Sequence, residues 1–209
     1  MDLVTRISES LQRGDNKEVS RLTAEALDNN LDPQVILDEG LIAGMDVIGE
    51  QFRIHTIFLP EVLLAARAMY AGLDRIEPLL SASGAVFRGK VVIGTIQGDL
   101  HDIGKNLVGI MLRGAGFQVI DLGNDVAPEE FVRTAQEEEA QVIGMSALLT
   151  TTMSNMGKAI ERLEQEGLRK DIHAIVGGAP VSEDFANQIG AVGYGFDGLS
   201  AVELVKRLV

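Results

Sequence analysis

The run GDLHDIGKN at positions 98–106 gathers two carboxylates, Asp99 and Asp102, and one imidazole, His101, between Gly98 and Gly104. A histidine binds a metal through one ring nitrogen when the other is suitably occupied, and a carboxylate two residues earlier can take that second N–H. Asp99 is so placed. The pair would fix the tautomer of His101, raise the basicity of the ligating nitrogen and couple protonation of the pair to release of the metal. Glycine at 98 and 104 permits positive φ or a close approach of backbone to a ligand. Spacing alone leaves other readings open. His101 could cap the following helix or stand on a solvated loop, and acids at a helix start are favoured by the macrodipole without any function. Two acids at a strand end also suit a Mg²⁺ or phospho-acceptor site of the response-regulator kind.

The elements around the run decide where it sits. Apolar, β-rich runs bounded by glycine recur at VVIGTI (91–96), FQVID (117–121), QVIGMS (141–146), IHAIVGG (172–178) and, more weakly, AVGYG (191–195), with helix-length segments between them. Such alternation predicts a five-stranded parallel sheet covered by helices on both faces, an α/β domain of the doubly wound, flavodoxin-like kind. Ligands of these sheets bind at the carboxyl ends of the strands, where the strand order reverses. GDLHDIGKN follows the first strand directly and leads into a helix, which is that position.

The preceding half has a different period. Asp15 with Glu18 resembles a capping box, Asp32 before Pro33 reads as an N-cap with proline at the first helical position, and Pro60 plays the same part later. These signals predict helices at about 2–13, 16–29, 33–51 and 59–78, packed as an antiparallel four-helix bundle. The small and basic stretch SASGAVFRGK (81–90) is the expected linker, giving a helical domain over 1–84 and the sheet domain over 85–209.

Composition excludes several classes of function. The 209 residues carry 31 acids against 18 bases, a net charge of −13, and neither half offers a basic face, so nucleic acid and anionic membranes are not expected partners. No run is apolar for long enough to cross a bilayer, and the N-terminal MDLVTRISES lacks the pattern of a signal peptide, so a cytoplasmic protein is expected. With no cysteine there is no thiolate metal site, iron–sulfur cluster or cysteine nucleophile. A metal would have to be held by histidine, carboxylates or a prosthetic ligand.

Four motifs in a fixed order carry a resemblance. GDLHDIGKN, DLG (121–123), GMSALLT (144–150) and VGGAPV (176–181) together resemble the cobalamin-binding module of methionine synthase and of methyltransferase corrinoid proteins. In the helical half, GEQFRIHTIFLPEV (49–62) is similar to the helical cap that precedes the module in those proteins. The resemblance covers nearly the whole chain and implies a cobalamin-type corrinoid as cofactor. His101 would then be the lower axial ligand of its cobalt, in place of the corrinoid's own dimethylbenzimidazole, with Asp99 hydrogen-bonded behind it and Ser146 extending the relay. Leu100, Asp102 and Ile103 would share in holding the cofactor. The displaced nucleotide tail would enter a slot lined by Gly104, Ser146, Leu148, Thr150, Gly177 and Gly178. Phe52, Phe58 and Leu59 would cover the upper corrin face.

Other readings of these residues remain. Ser146 and Thr150 could cap a helix beginning near Thr152, Gly177 and Gly178 could form an ordinary turn, and the aromatic residues could be bundle core. His55 reads as an exposed loop residue, His173 as structural, and Glu137, Glu138 and Glu139 as a solvated face.

The function so implied is that of a carrier. A cobalt corrinoid takes up methyl as Co(III)–CH₃ and gives it up as Co(I), and the protein's levers are the axial ligand, its hydrogen bonds and shielding. No second metal site and no Ser/His/Asp arrangement is evident, so no catalytic residue is expected. The expected partners are a substrate-specific methyltransferase subunit, an acceptor methyltransferase serving an acceptor such as tetrahydrofolate or coenzyme M, and a reductive activating protein. An adenosylcobalamin-dependent mutase subunit shares the DxHxxG module, but the FLPEV cap argues against it. A corrinoid-sensing regulator shares both parts, and the acidic composition argues against that reading.

Overall fold

The computed structural model describes residues 2–83 and 87–209. The expected domain boundary, and part of the expected linker, fall on Gly84–Val86, outside the described residues. The chain divides into two compact units, one of Met1–Phe87 with Gly114–Gly116 and the other of Arg88–Arg113 with Phe117–Val209.

The first unit is helical. α1 (Leu3–Gln12) is N-capped by Asp2, whose carboxylate accepts the amide of Thr5 at 2.8 Å. α2 (Asn16–Asp28) begins at Asp15, which accepts the amide of Glu18 at 3.0 Å. The reciprocal half of that predicted capping box is absent, because Glu18 turns its carboxylate to Arg21 instead. The third predicted helix is one continuous rod of three parts: α3 (Pro33–Val35), a π-helical segment (Ile36–Ile42) and α4 (Ala43–Arg53). Within it Gly40 and Gly44 face α1 so closely that a Cβ would lie 3.2 Å from the Ile7 side chain and 3.2 Å from the carbonyl oxygen of Ser8. The fourth, α5 (Leu59–Ser83), runs past its predicted end. Pro78 removes one helical hydrogen bond, but Ile76 and Leu80 on either side of it are fully buried, and that burial carries the helix through. Ile7, Leu11, Leu22, Ile36, Leu41, Ile48 and Met69 fill the centre of the unit.

The second unit is a doubly wound α/β domain. Its strands are β1 (Lys90–Thr95), β2 (Gln118–Asp121), β3 (Val142–Ser146), β4 (His173–Gly177) and β5 (Gly193–Gly195). All pair in parallel, in the order β2-β1-β3-β4-β5. The helices are α6 (Ile103–Gly114), α7 (Pro128–Glu137), α8 (Ser154–Gln165), α9 (Glu183–Ile189) and α10 (Gly198–Leu208). Successive residues of β1 face opposite ways. A Cβ at Gly94 would meet Phe131 of α7, whereas Ile93 packs against Gly109 of α6. Connections leave β1 toward β2 and return past it to β3, so the switch in strand order lies between β1 and β3.

Candidate cofactor site

The loop that follows β1 is held from both sides. Gly98 takes φ +87° and donates its amide to Asp125 at 2.7 Å, and the side chain of Asn155 donates to the carbonyl of Gln97 at 3.0 Å. The buried hydroxyl of Thr95, the last residue of β1, donates to the carbonyl of His101 at 2.9 Å. These bonds present Asp99 and His101 at the carboxyl ends of β1 and β3, on the switch point.

Asp99 is fully buried in this frame. One carboxylate oxygen lies 3.0 Å from the amide of His101 and 2.8 Å from its Nδ1. The other accepts the amides of Leu148 at 2.7 Å and Leu149 at 2.9 Å, and the hydroxyl of Thr152 at 3.3 Å. Burial by itself pushes the Asp99 carboxyl up, but the donors from His101, Leu148 and Leu149 outweigh it and hold the group well below the ordinary carboxylate range. An ionised Asp99 can only accept, so Nδ1 of His101 carries a proton, and in the neutral imidazole Nε2 then keeps its lone pair. The imidazole is 54% exposed, and Nε2 has no partner among the described residues.

That arrangement can bind a metal, though not a bare ion. Among the described residues no group of three or more histidine, cysteine or acidic side chains is placed to hold one. A single imidazole suits a metal that arrives with its own equatorial ligands. Around His101 the surface is apolar and open: Leu100, Ile103, Leu148 and Leu149 are all exposed. Beside it lies a cavity of about 360 Å³, within the size range of cofactor pockets. Its floor follows the sheet register, in which Ser146 is opposite Gly177 and Gly177 opposite Gly195. Ile93 and Gly144 continue it, and Gly104, Leu107 and Val108 of α6 and Ala201 of α10 wall it. The site thus offers a half-exposed imidazole, an exposed apolar surface and a glycine-floored slot, and a corrinoid with a long tail fits all three.

The expected residues separate into groups. Asp99, His101, Gly104, Ser146, Gly177 and Gly178 come together in the loop and cavity. Leu100, Ile103 and Leu148 form the exposed apolar surface, with the Leu148 amide also on Asp99. Asp102 immediately precedes α6 and closes its first turn, its carbonyl accepting the Asn106 amide. Thr150 is exposed and does not line the cavity. The relay does not run through Ser146. The chain turns after β3 so that Thr152, not Ser146, faces Asp99, and Ser146 remains in the cavity floor. Nor do Ser146 and Thr150 cap a helix: α8 begins at Ser154 without a side-chain cap. In the helical unit Phe52 is half-buried and Phe58 and Leu59 are exposed, so the latter two are not bundle core.

Sequence reasoning missed Thr152, Thr95, Asp125 and Phe196, the last 79% exposed at the cavity wall. It missed also Lys105, a buried ammonium clamped by Asp121 at 2.6 Å and Asn106 at 2.7 Å. A signal for that pair was present, since a lysine in the first turn of a helix and an aspartate ending the neighbouring strand lie at the same edge of a parallel sheet.

Family models described as B12 binding domain match residues 89–203 and residues 3–77. The chain is 41% identical to a corrinoid protein of Desulfitobacterium hafniense, over 100% of this chain and 98% of that one. It is 42% identical to trimethylamine corrinoid protein 1 of Methanosarcina mazei, over 98% and 96% of the two chains. Among solved structures, the methanol:cobalamin methyltransferase complex MtaBC of Methanosarcina barkeri contains a chain 33% identical, with TM-score 0.88, covering 98% of this chain and 78% of that one. A cobalamin-binding protein of Desulfitobacterium hafniense matches with TM-score 0.76 at 29% identity, covering 100% and 99%. By its two matched domains and its full-length likeness to these relatives, the chain belongs to the methyltransferase corrinoid proteins, and its cofactor is a cobalamin-type corrinoid.

Proposed function

We propose that this chain carries a methyl group on the cobalt of its corrinoid, with Nε2 of His101 as the lower axial ligand. The methyl passes from a substrate-specific methyltransferase subunit to an acceptor methyltransferase serving an acceptor such as tetrahydrofolate or coenzyme M, and a reductive activating protein restores oxidised cofactor. The observation that carries this reading is the Asp99–His101 pair: Nδ1 is tied to a buried carboxylate at 2.8 Å, while the ring is half-exposed and Nε2 has no partner among the described residues. When bound, the corrinoid supplies a cobalt that can accept and release a methyl group. Asp99 sets the tautomer and basicity of the ligating imidazole, and Thr152 with the Leu148 and Leu149 amides fixes Asp99. The exposed Leu100, Ile103 and Leu148 give the corrin an apolar bed, and Gly104, Ser146, Gly177 and Gly178 receive its tail. Phe52, Phe58 and Leu59 shield the cofactor from water and oxidant.

Relatives named for trimethylamine and for methanol support a small N- or O-methylated compound as donor. The carrier role is tested with purified protein loaded with methylcobalamin. Alone with a methyl acceptor such as tetrahydrofolate it is expected not to turn over, and to discharge its methyl group once an acceptor methyltransferase is added. Turnover without a partner would overturn the carrier reading and make the chain an enzyme in its own right.

A further inference from the structure

We infer that the cavity beside His101 selects the base on the corrinoid's nucleotide tail, admitting a benzimidazole and rejecting a purine. This rests on His101 being the lower ligand, because only a base displaced from cobalt is free to enter the cavity.

The selection follows from how few polar groups the cavity offers. Its walls are apolar, with Ile93, Leu107, Val108 and Ile175 among them, and glycines floor it. Three of its lining residues have polar side chains: Lys105, Ser146 and Asp197. The Lys105 ammonium is taken up by Asp121 and Asn106. The Asp197 carboxylate caps α10, accepting the amide of Ser200 at 2.7 Å. Two carbonyls of the floor are engaged as well: that of Ser146 accepts the amide of Ile96 and that of Gly177 the amide of Ala147. The hydroxyl of Ser146 is the one polar side-chain group of the lining without a partner among the described residues.

A benzimidazole released from cobalt buries a flat apolar ring and a single ring nitrogen that accepts. One hydroxyl donor satisfies it. Adenine brings an exocyclic amine and further accepting ring nitrogens, and the side chains of the lining hold no second free donor for those nitrogens. A buried polar group left unpaired loses its bonds to water without replacement, so a site of this kind discriminates more sharply by polarity than by shape. The adenine form is therefore expected to bind at least about tenfold more weakly.

The test titrates the full chain with cobalamin, with its adenine-bearing counterpart and with cobinamide, which has no nucleotide. Affinity is read from the corrinoid's visible spectrum and axial ligation from nitrogen splitting in the Co(II) electron paramagnetic resonance spectrum. Cobalamin is expected to bind at least tenfold tighter than either other corrinoid, and Ser146→Ala to narrow its advantage over the adenine form several-fold. Equal affinity for the two bases, each with imidazole splitting, overturns base selection while leaving the role of His101 intact. A ratio unchanged in Ser146→Ala, with folding verified by circular dichroism, overturns the assignment to that hydroxyl. Absence of imidazole splitting with every corrinoid instead overturns the reading of His101 on which the inference rests.

Discussion

Nδ1 of His101 lies 2.8 Å from a carboxylate oxygen of Asp99, and the two ends of that bond live in different media: Asp99 is fully buried, while the imidazole is more than half exposed. The buried end is anchored by amides fifty residues away in sequence, at Leu148 and Leu149. The exposed end is thereby given one tautomer and one orientation without being enclosed. A ligand that must meet a large planar cofactor from one side needs this combination.

Removing the carboxylate strands its donors. Asp99→Ala leaves the amides of His101, Leu148 and Leu149 in a buried site without acceptors and is expected to destabilise the apoprotein by about 3 kcal/mol. Asp99→Asn keeps the shape but not the charge, and a loss of about 1–2 kcal/mol is expected. Urea unfolding of the apoproteins measures both. The pH dependence has a definite sign. Because the folded state holds Asp99 below its ordinary 3.8, the stabilisation is fully present above that value and is lost as pH falls through it toward the lower folded-state pKa. The gap between wild type and Asp99→Asn is therefore expected to shrink below about pH 4. A gap that widens in acid would contradict the assignment.

Thr152 and Ser146 are separated by the same measurement. The Thr152 hydroxyl sits 3.3 Å from Asp99 and 2.8 Å from the carbonyl of Leu149. Thr152→Val is expected to cost about 1 kcal/mol and Thr152→Ser to retain most of it. Ser146→Ala removes a hydroxyl with no partner among the described residues, and a change within about 0.5 kcal/mol of apoprotein stability is expected.

Two glycines of the site predict opposite outcomes. Gly178 adopts φ +126° and a Cβ there would overlap the carbonyl oxygen of Ala147, so Gly178→Ala is expected to cost about 3 kcal/mol or more. A Cβ at Gly104 meets nothing within 4 Å, and the residue lies in the first turn of α6. Gly104→Ala is expected to raise apoprotein stability by about 0.5 kcal/mol. Thermal unfolding of the two variants side by side gives the comparison.

What the sequence disclosed followed from local rules. Glycine-bounded apolar runs placed all five strands to within two residues at either end, and Asp15 and Asp32 marked helix starts because capping is a bond between near neighbours. The loop after β1 was found because parallel sheets bind ligands there. The rest depended on distance in sequence. Thr152 reaches Asp99 across 53 positions, and only the turn after β3 decides that it, rather than Ser146, does so. The helix predicted to end near 78 runs on through Pro78, where the burial of Ile76 and Leu80 overrides a local penalty. The π-helical segment was hidden because its apolar spacing resembles that of an α-helix.

The central claim, that His101 ligates cobalt through Nε2, is tested most directly by the Co(II) electron paramagnetic resonance spectrum of protein reconstituted with cobinamide, whose lack of a nucleotide leaves the protein as the source of any axial nitrogen. Splitting of the cobalt lines by one nitrogen, lost in His101→Ala, is the predicted result. Splitting that persists unchanged in that variant, or wild-type protein that shows none, would contradict the account.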